Sequence, residues 1–555
     1  MVKFKLSSLL NGSSSSNSKE TTTAETKKQN RRSFSGFLDS KSPAARPKEE
    51  PKTNGTSTPA TSAEPPSRMA YLAQKIATET AALEASLKEA NLPLPSFDVD
   101  ADPDYASKLP ESARRSRQEI IHATKELRDL AIGPRESVRW QTWGHLDVLA
   151  LQTVNAFGIA KLFPFNETIT LEELTSRSKL DKVNLARLVR YAATNNVFRE
   201  VSPGVIAHTA ASRVLAEDED MQAWVGFNTE DIFPASAHVL QALRTYPEAV
   251  HLTQTGFNFA FNTVDKEPMF VTFGKDPVRA KRMGRAMASL TGGEGYEVKH
   301  LVDGYDFAEI DAREGTFVDV GGSHGFVCVD VAGKYKKMRF VVQDLPKTVE
   351  SAPKPICEDV QVAERIRLEA HDFFTEQSEK GADVYFFRWI MHNYSTPYAI
   401  KIIKNLVPAL KPGARILIMD HCLSEPGTQN PWDEKQIRAM DLIMLALLNA
   451  QERTEQEFKE LFAAADEGFV FKGVIRPPGA KTGIIEAVWK PEEEAKEAVV
   501  AAPAEVEGVK AVLAGETDDA KVVPAEPKAD NDTPAAKEEA QATASKVDEP
   551  KAGDA

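Results

Sequence analysis

Between residues 68 and 293 the apolar positions follow a helical repeat almost throughout. A first helix is expected over 69–91, rich in Ala, Leu, Lys and Glu and ending before Pro93. A second is expected over 147–163, where Val148, Leu151, Val154 and Ile159 recur near the helical spacing. Thr170-Leu171-Glu172-Glu173 has the spacing of a capping box, in which a Thr hydroxyl and a Glu carboxylate satisfy each other's free amides. Another helix begins near Asp181, with Leu185, Leu188, Val189 and Ala192 on one face. After Asn195-Asn196 the period shortens, and 198–201 and 205–208 read as strands joined by the turn Ser202-Pro203-Gly204. Helix, turn, helix and hairpin make a winged-helix arrangement.

From Gly315 the pattern changes to short apolar runs separated by helical stretches. Strands are expected over 316–320, 339–343, 384–387 and 415–419, the last after the turn Lys411-Pro412-Gly413. A helix over 397–410 points Ile402, Ile403 and Leu406 inward, and a final strand over 483–489 is expected at the sheet edge. Buried strands interleaved with helices imply a mostly parallel, doubly wound α/β sheet of Rossmann type. In such sheets a ligand lies beyond the carboxyl ends of the strands. The expected division is therefore a helical and winged-helix region, 68–293, followed by an α/β region, 294–490.

Composition adds the two ends of the chain. Residues 1–67 are rich in Ser, Thr, Lys and Pro, and 491–555 in Ala, Glu, Asp, Lys and Pro without aromatics. Neither buries enough apolar surface to offset its conformational entropy, so both are expected to be disordered. The 555-residue chain carries a net charge of −14, much of it from the acidic C-terminal segment. That balance argues against nucleic-acid binding, as does the helix expected from Asp181, which offers only Lys182, Arg187 and Arg190. A structural or dimerising role for the winged helix is preferred. No signal peptide and no apolar run of membrane-spanning length is evident, so no membrane partner is expected. Three scattered cysteines, Cys328, Cys357 and Cys422, fit a reducing, cytoplasmic setting, with no metal site.

The chemistry concentrates at strand ends. Asp319-Val320-Gly321-Gly322-Ser323-His324-Gly325 lies where the first strand of the sheet turns into a helix, and glycines there let the backbone approach a ligand. Asp344, at the end of the next strand, is placed to accept both hydroxyls of a ribose. The turn lacks the G-x-G-x-x-G spacing and any basic residue for a pyrophosphate. Acidic Asp319 suits a cationic sulfonium better, which favours S-adenosylmethionine over a dinucleotide. His392 follows the third strand and has the right reference pKa, about 6.5, to take a proton. Asp420, ending the next strand, and Glu452 could support it, although a helix N-terminal charge is the plainer reading of Glu452.

These motifs, in this order, resemble the plant caffeate-type O-methyltransferases and, more closely, the fungal branch acting on phenolic polyketides such as sterigmatocystin-pathway intermediates. The resemblance spans about 68–490. Asp319-Val320-Gly321-Gly322 is similar to the family's first cofactor motif, and Asp344-Leu345-Pro346 to its ribose-binding Asp-Leu-Pro. Asp372 and Phe373 stand where the family holds the adenine, and Arg388 where it has a basic residue near the donor's methionine part. His392 falls on the catalytic base, flanked by Asp420 and Glu452. The resemblance also implies a homodimer and a small aromatic, hydroxylated substrate. It puts Phe257, Phe261, Met283 and Met287 along the acceptor pocket, although core packing explains each equally well. His324, Asn393 and Asp420 depart from the usual residues. A catalytically silent donor-binding partner, a winged-helix DNA binder and transfer to nitrogen remain alternatives.

Overall fold

Three short strands come first: β1 (Thr168–Thr170), β2 (Arg199–Ser202) and β3 (Val205–Ala207). β3 pairs antiparallel with both of the others. Between β1 and β2 run the helices Leu171–Ser178 and Lys182–Thr194. The capping box forms as its spacing predicts: Thr170 accepts from the Glu173 amide and Glu173 from the Thr170 amide. Asp181 caps the second helix through the amides of Val183 and Asn184. Ile169, Leu174, Leu185, Val189, Phe198 and Ile206 close a core between them. Two of the three cations on the second helix are already neutralised, Lys182 by Glu172 and Arg190 by Glu200.

The computed structural model describes residues 66–491, so the two segments expected to be disordered lie outside the described residues, save for positions 66, 67 and 491. The first expected helix runs Arg68–Glu89. The second is shorter than its periodicity predicts. It spans Gly144–Ala156, and Gly158, with φ +58°, diverts the chain into the separate turn Ile159–Lys161. β1 has only three residues, too few to show an alternation.

The central sheet has seven strands. In chain order they are β4 (Thr316–Val320), β5 (Arg339–Asp344), β6 (Ile366–Ala370), β7 (Val384–Arg388) and β8 (Arg415–Asp420), then, after the short β9 (Cys422–Leu423) and β10 (Arg453–Thr454), β11 (Phe469–Ile475) and β12 (Gly483–Trp489). The spatial order is β11-β12-β8-β7-β4-β5-β6. β4 to β8 are parallel to one another, and β12 is antiparallel to both β8 and β11. Gly483–Trp489 is therefore not the edge strand expected; β11, whose apolar run is interrupted by Lys472 and Gly473, covers it.

Successive side chains of these strands feed opposite faces, as a pleated sheet requires. Phe317, Phe340, Val384, Phe386 and Leu417 pack on one face, against the helix Phe326–Lys334 among others. Val318, Val341, Tyr385, Phe387 and Ile416 pack on the other, against Thr396–Lys404 and Glu455–Ala465. Both faces are thus dry, the condition that parallel strands need. Chain order reverses between β4 and β7, and in sheets of this kind the ligand crevice lies at the carboxyl ends of the strands flanking that reversal. The long helix Pro431–Leu448 returns to the first region, where Met444, Ala446, Leu447 and Leu448 share a core with Phe227, Ile232 and Phe257. Among the described residues no helix is long and apolar enough to cross a membrane.

Candidate active site

The crevice has two differently built ends. At the first, β4 runs into Gly321, Gly322 and Ser323. Gly321 has φ +77°, and a Cβ there would lie 2.6 Å from Ile390. A Cβ on Gly322 would lie 2.5 Å from the Asp319 carboxyl, so only glycine lets the turn close over that side chain. The Ser323 amide donates to Asp344 at 2.9 Å, and the Leu345 amide donates to the same carboxylate at 2.7 Å. The His371 amide donates to the Asp344 carbonyl at 2.9 Å, bringing Asp372 and Phe373 alongside. Phe373 lies beside Gly321, and Asp372 accepts the Phe374 amide at 2.9 Å. Asp344 is half-buried, and Leu345 and Asp372 are exposed, so this group forms an open rim.

Asp319 sits beneath that rim, 1% exposed. Its hydrogen-bond partner is the Cys328 thiol at 3.7 Å, and burial pushes its carboxyl up to about 7 against the pull of Arg388. Arg388 is itself buried, donates to the Tyr296 carbonyl at 2.7 Å and leaves its Nε without a hydrogen-bond partner.

The second end belongs to His392. After β7 the chain makes a tight turn, with Trp389 at φ +57° and the Asn393 amide side chain bonded to the Trp389 carbonyl at 2.7 Å. His392 is buried, and its Nδ1 lies 2.8 Å from Glu452 Oε1. Its Nε2 has no protein hydrogen-bond partner among the described residues. Asp420 is placed differently from expectation: its carboxylate takes the backbone amide of His392 at 3.0 Å, not the ring. It fixes the turn, and Glu452 orients the imidazole. The helix-terminal reading of Glu452 is corrected too, because its carboxylate is fully buried on the histidine. Burial drives the His392 pKa down, but the charge and hydrogen bond of Glu452, helped by Asp420, outweigh it and the net shift is upward. Glu452 is held at about 2, because the His392 and His421 contacts outweigh its burial.

Three contributors escaped the sequence reading. Arg453, 1% exposed, donates to the carbonyls of Met391 at 2.8 Å and Tyr394 at 2.7 Å, clamping the turn that carries His392. His421 shares Glu452 with His392, and Tyr296 approaches His421 from the other side. The parallel bridge of β9 with β10 pairs Arg453 with Cys422, which brings the preceding residues, Glu452 and His421, level. An Asp-His pair directly after the apolar run of β8 was the available signal for His421.

Of the four expected pocket residues, Phe257 has no exposed surface and backs the others, packed on Phe261 at 4.5 Å and Phe273 at 5.5 Å between ring centres. Phe261, Met283 and Met287 keep partial exposure on the same cluster, beside Met440 and Ile443. The Arg279 guanidinium stacks over Phe261 at 4.3 Å. A cavity of about 420 Å³ lies elsewhere, between the helix Glu111–Ile132 and Trp432, and none of these groups lines it. Among the described residues no His, Cys, Asp and Glu side chains cluster as a metal site.

Comparison with known proteins agrees with this architecture. A family profile described as an O-methyltransferase domain matches residues 248–470. The chain is 58% identical over 423 residues to a chlorophenol O-methyltransferase of Trichoderma longibrachiatum, covering 76% of this chain and 90% of that one. It is 36% identical to the O-methyltransferase pyvH of Aspergillus violaceofuscus, covering 76% and 99%. In fold it resembles OxaC in complex with SAH and oxaline, at TM-score 0.58 and 24% identity, over 76% of this chain and 100% of that one. The chain belongs to the O-methyltransferase family.

Proposed function

We propose that this O-methyltransferase moves the methyl group of S-adenosylmethionine to the hydroxyl of a small phenol, a chlorophenol among them, with His392 as general base. The observation that carries the reading is the buried imidazole fixed by Glu452 at 2.8 Å with its Nε2 left unpaired at the carboxyl ends of β4 and β7. A base so held presents one lone pair in one direction. The relative of 58% identity acts on a chlorophenol, which gives the substrate class its support.

The donor fits the first end. The Asp344 carboxylate already turns toward two amides at the rim and is placed for the ribose hydroxyls, with Leu345, Asp372 and Phe373 beside it for the adenine. Gly321 and Gly322 let the backbone close in, and buried Asp319 with unpaired Arg388 Nε gives polar groups for the methionine part. When bound, the donor supplies a methyl group already activated on a sulfonium. The chain's own part is to align and to keep water out. Nε2 of His392 takes the hydroxyl proton, Glu452 stabilises the imidazolium that forms, and Asp420 with Arg453 keeps the turn from moving. Phe261, Met283 and Met287 hold the aromatic ring, with Phe257 behind them.

The winged-helix region serves as a dimerisation domain in this reading. Val138, Trp140, Trp143 and Phe157 are 65%, 60%, 51% and 49% exposed, large apolar side chains that a second copy would cover. Sedimentation should give twice the chain mass. The decisive experiment is methyl transfer from S-adenosylmethionine to a panel of phenols by the wild type and His392→Ala. The variant should lose about 10²–10⁴-fold in turnover with donor binding intact. Retention within a few fold would remove His392 as the base, and a wild type that binds donor yet methylates no phenol would refute the activity.

A further inference from the structure

Glu452 serves two imidazoles. Its Oε1 lies 2.8 Å from Nδ1 of His392 and 3.2 Å from Nδ1 of His421. His421 is 1% exposed, and its Nε2 lies 3.2 Å from the Tyr296 hydroxyl. The Trp389 ring stands 5.0 Å from each imidazole, filling the space around the pair. A carboxylate has no hydrogen to give, so both Nδ1 atoms carry one. In the neutral ring Nε2 of His421 then has only a lone pair, to which the Tyr296 hydroxyl donates. The bonds have a fixed direction: Tyr296 to His421, His421 to Glu452, and His392 to that same oxygen.

We propose that His421 is a positioning residue that takes up part of the accepting capacity of Glu452 and thereby sets the pH at which His392 becomes a free base. The inference rests on His392 being that base. A second donor on a carboxylate oxygen spreads its charge and weakens its hold on the first. Other groups also face this pair. Asp420 lies on the His392 amide, Arg453 is next in the chain, and Asp441 accepts the Glu452 amide at 2.9 Å. Among the described residues, only the two histidines hydrogen-bond to Oε1. Removing the His421 donor leaves Glu452 to His392 alone. The imidazolium is then held more tightly, and its proton leaves at higher pH.

The test is an NMR titration of histidine-labelled full-length protein, with the His392 signals identified by their loss in His392→Gln. His421→Phe keeps a ring in place without the donor and should raise the His392 midpoint by about half to one pH unit. The acidic limb of kcat/KM should move by the same amount. His421→Asn, whose amide can donate from near the Nδ1 position, should restore the wild-type midpoint. Tyr296→Phe should give a smaller upward shift, and it decides the question if His421→Phe does not fold. An unmoved midpoint in folded His421→Phe, or in Tyr296→Phe where the former fails to fold, overturns the inference. An Asn variant shifted as far as the Phe variant overturns it too. Full activity in His392→Gln would instead refute the base, a separate result.

Discussion

The two ends of the crevice solve different problems with different materials. The rim after β4 and β5 is made mostly of backbone: glycines, amides and one half-buried carboxylate, Asp344, which accepts the Ser323 and Leu345 amides. The end after β7 and β8 is made of side chains, with His392, Asp420, Glu452 and Arg453 all buried. A rim of amides can take up a flexible donor at little cost in ordering, since its partners face solvent when free. A buried set of charges is worth its desolvation only if each member is held in one geometry, and losing one strands the others. Binding and chemistry should therefore be separable by mutation.

Glu452→Gln gives the largest contrast. The amide keeps the shape and an accepting oxygen but carries no charge to stabilise an imidazolium, so kcat should fall by about 10²-fold or more at saturating donor. Isothermal calorimetry should show the donor affinity within a few fold of wild type. Asp344→Ala should do the reverse. It loses a charged acceptor from the rim, and donor affinity should weaken by about 10–100-fold while kcat at saturating donor changes little. If either variant changed affinity and kcat alike, the two ends would be one coupled site and the comparison would break.

The same difference explains what could be read from the sequence. The Asp319 to Gly322 turn and Asp344 are each specified by a few consecutive residues at the end of an apolar run, so strand and motif arrive together. β4 and β12 fall on their expected residues for the same reason. The proposed role of His392 as base draws on Glu452, 60 residues away, brought to its ring where β9 and β10 pair. No periodicity carries that distance. Asp420 shows the limit most clearly: a strand end placed it correctly near His392, yet which atom it would face, amide or ring, follows from the tight turn at Trp389. Arg453 reads as an ordinary cation beside an acid until its guanidinium is seen on two main-chain carbonyls.

The smallest expected effect, and the sharpest on the boundary between the two ends, concerns Asp319. Burial raises its folded pKa to about 7, well above the ordinary carboxylate range, and Arg388 only partly compensates. For a group whose folded value is raised, the contribution to stability is full below the unfolded pKa and is lost as pH rises through the folded one. Wild type should accordingly lose stability between about pH 4 and pH 7 through this residue. Asp319→Asn cannot titrate, so the difference in urea stability between variant and wild type should shift toward the variant from pH 5 to pH 8, by a few kcal/mol at most. A saturating sulfonium donor should shrink that difference, because a cation near the buried carboxyl favours its charged form. A pH-independent difference, with and without donor, would mean that Asp319 is ionised throughout and belongs electrostatically to Arg388 alone.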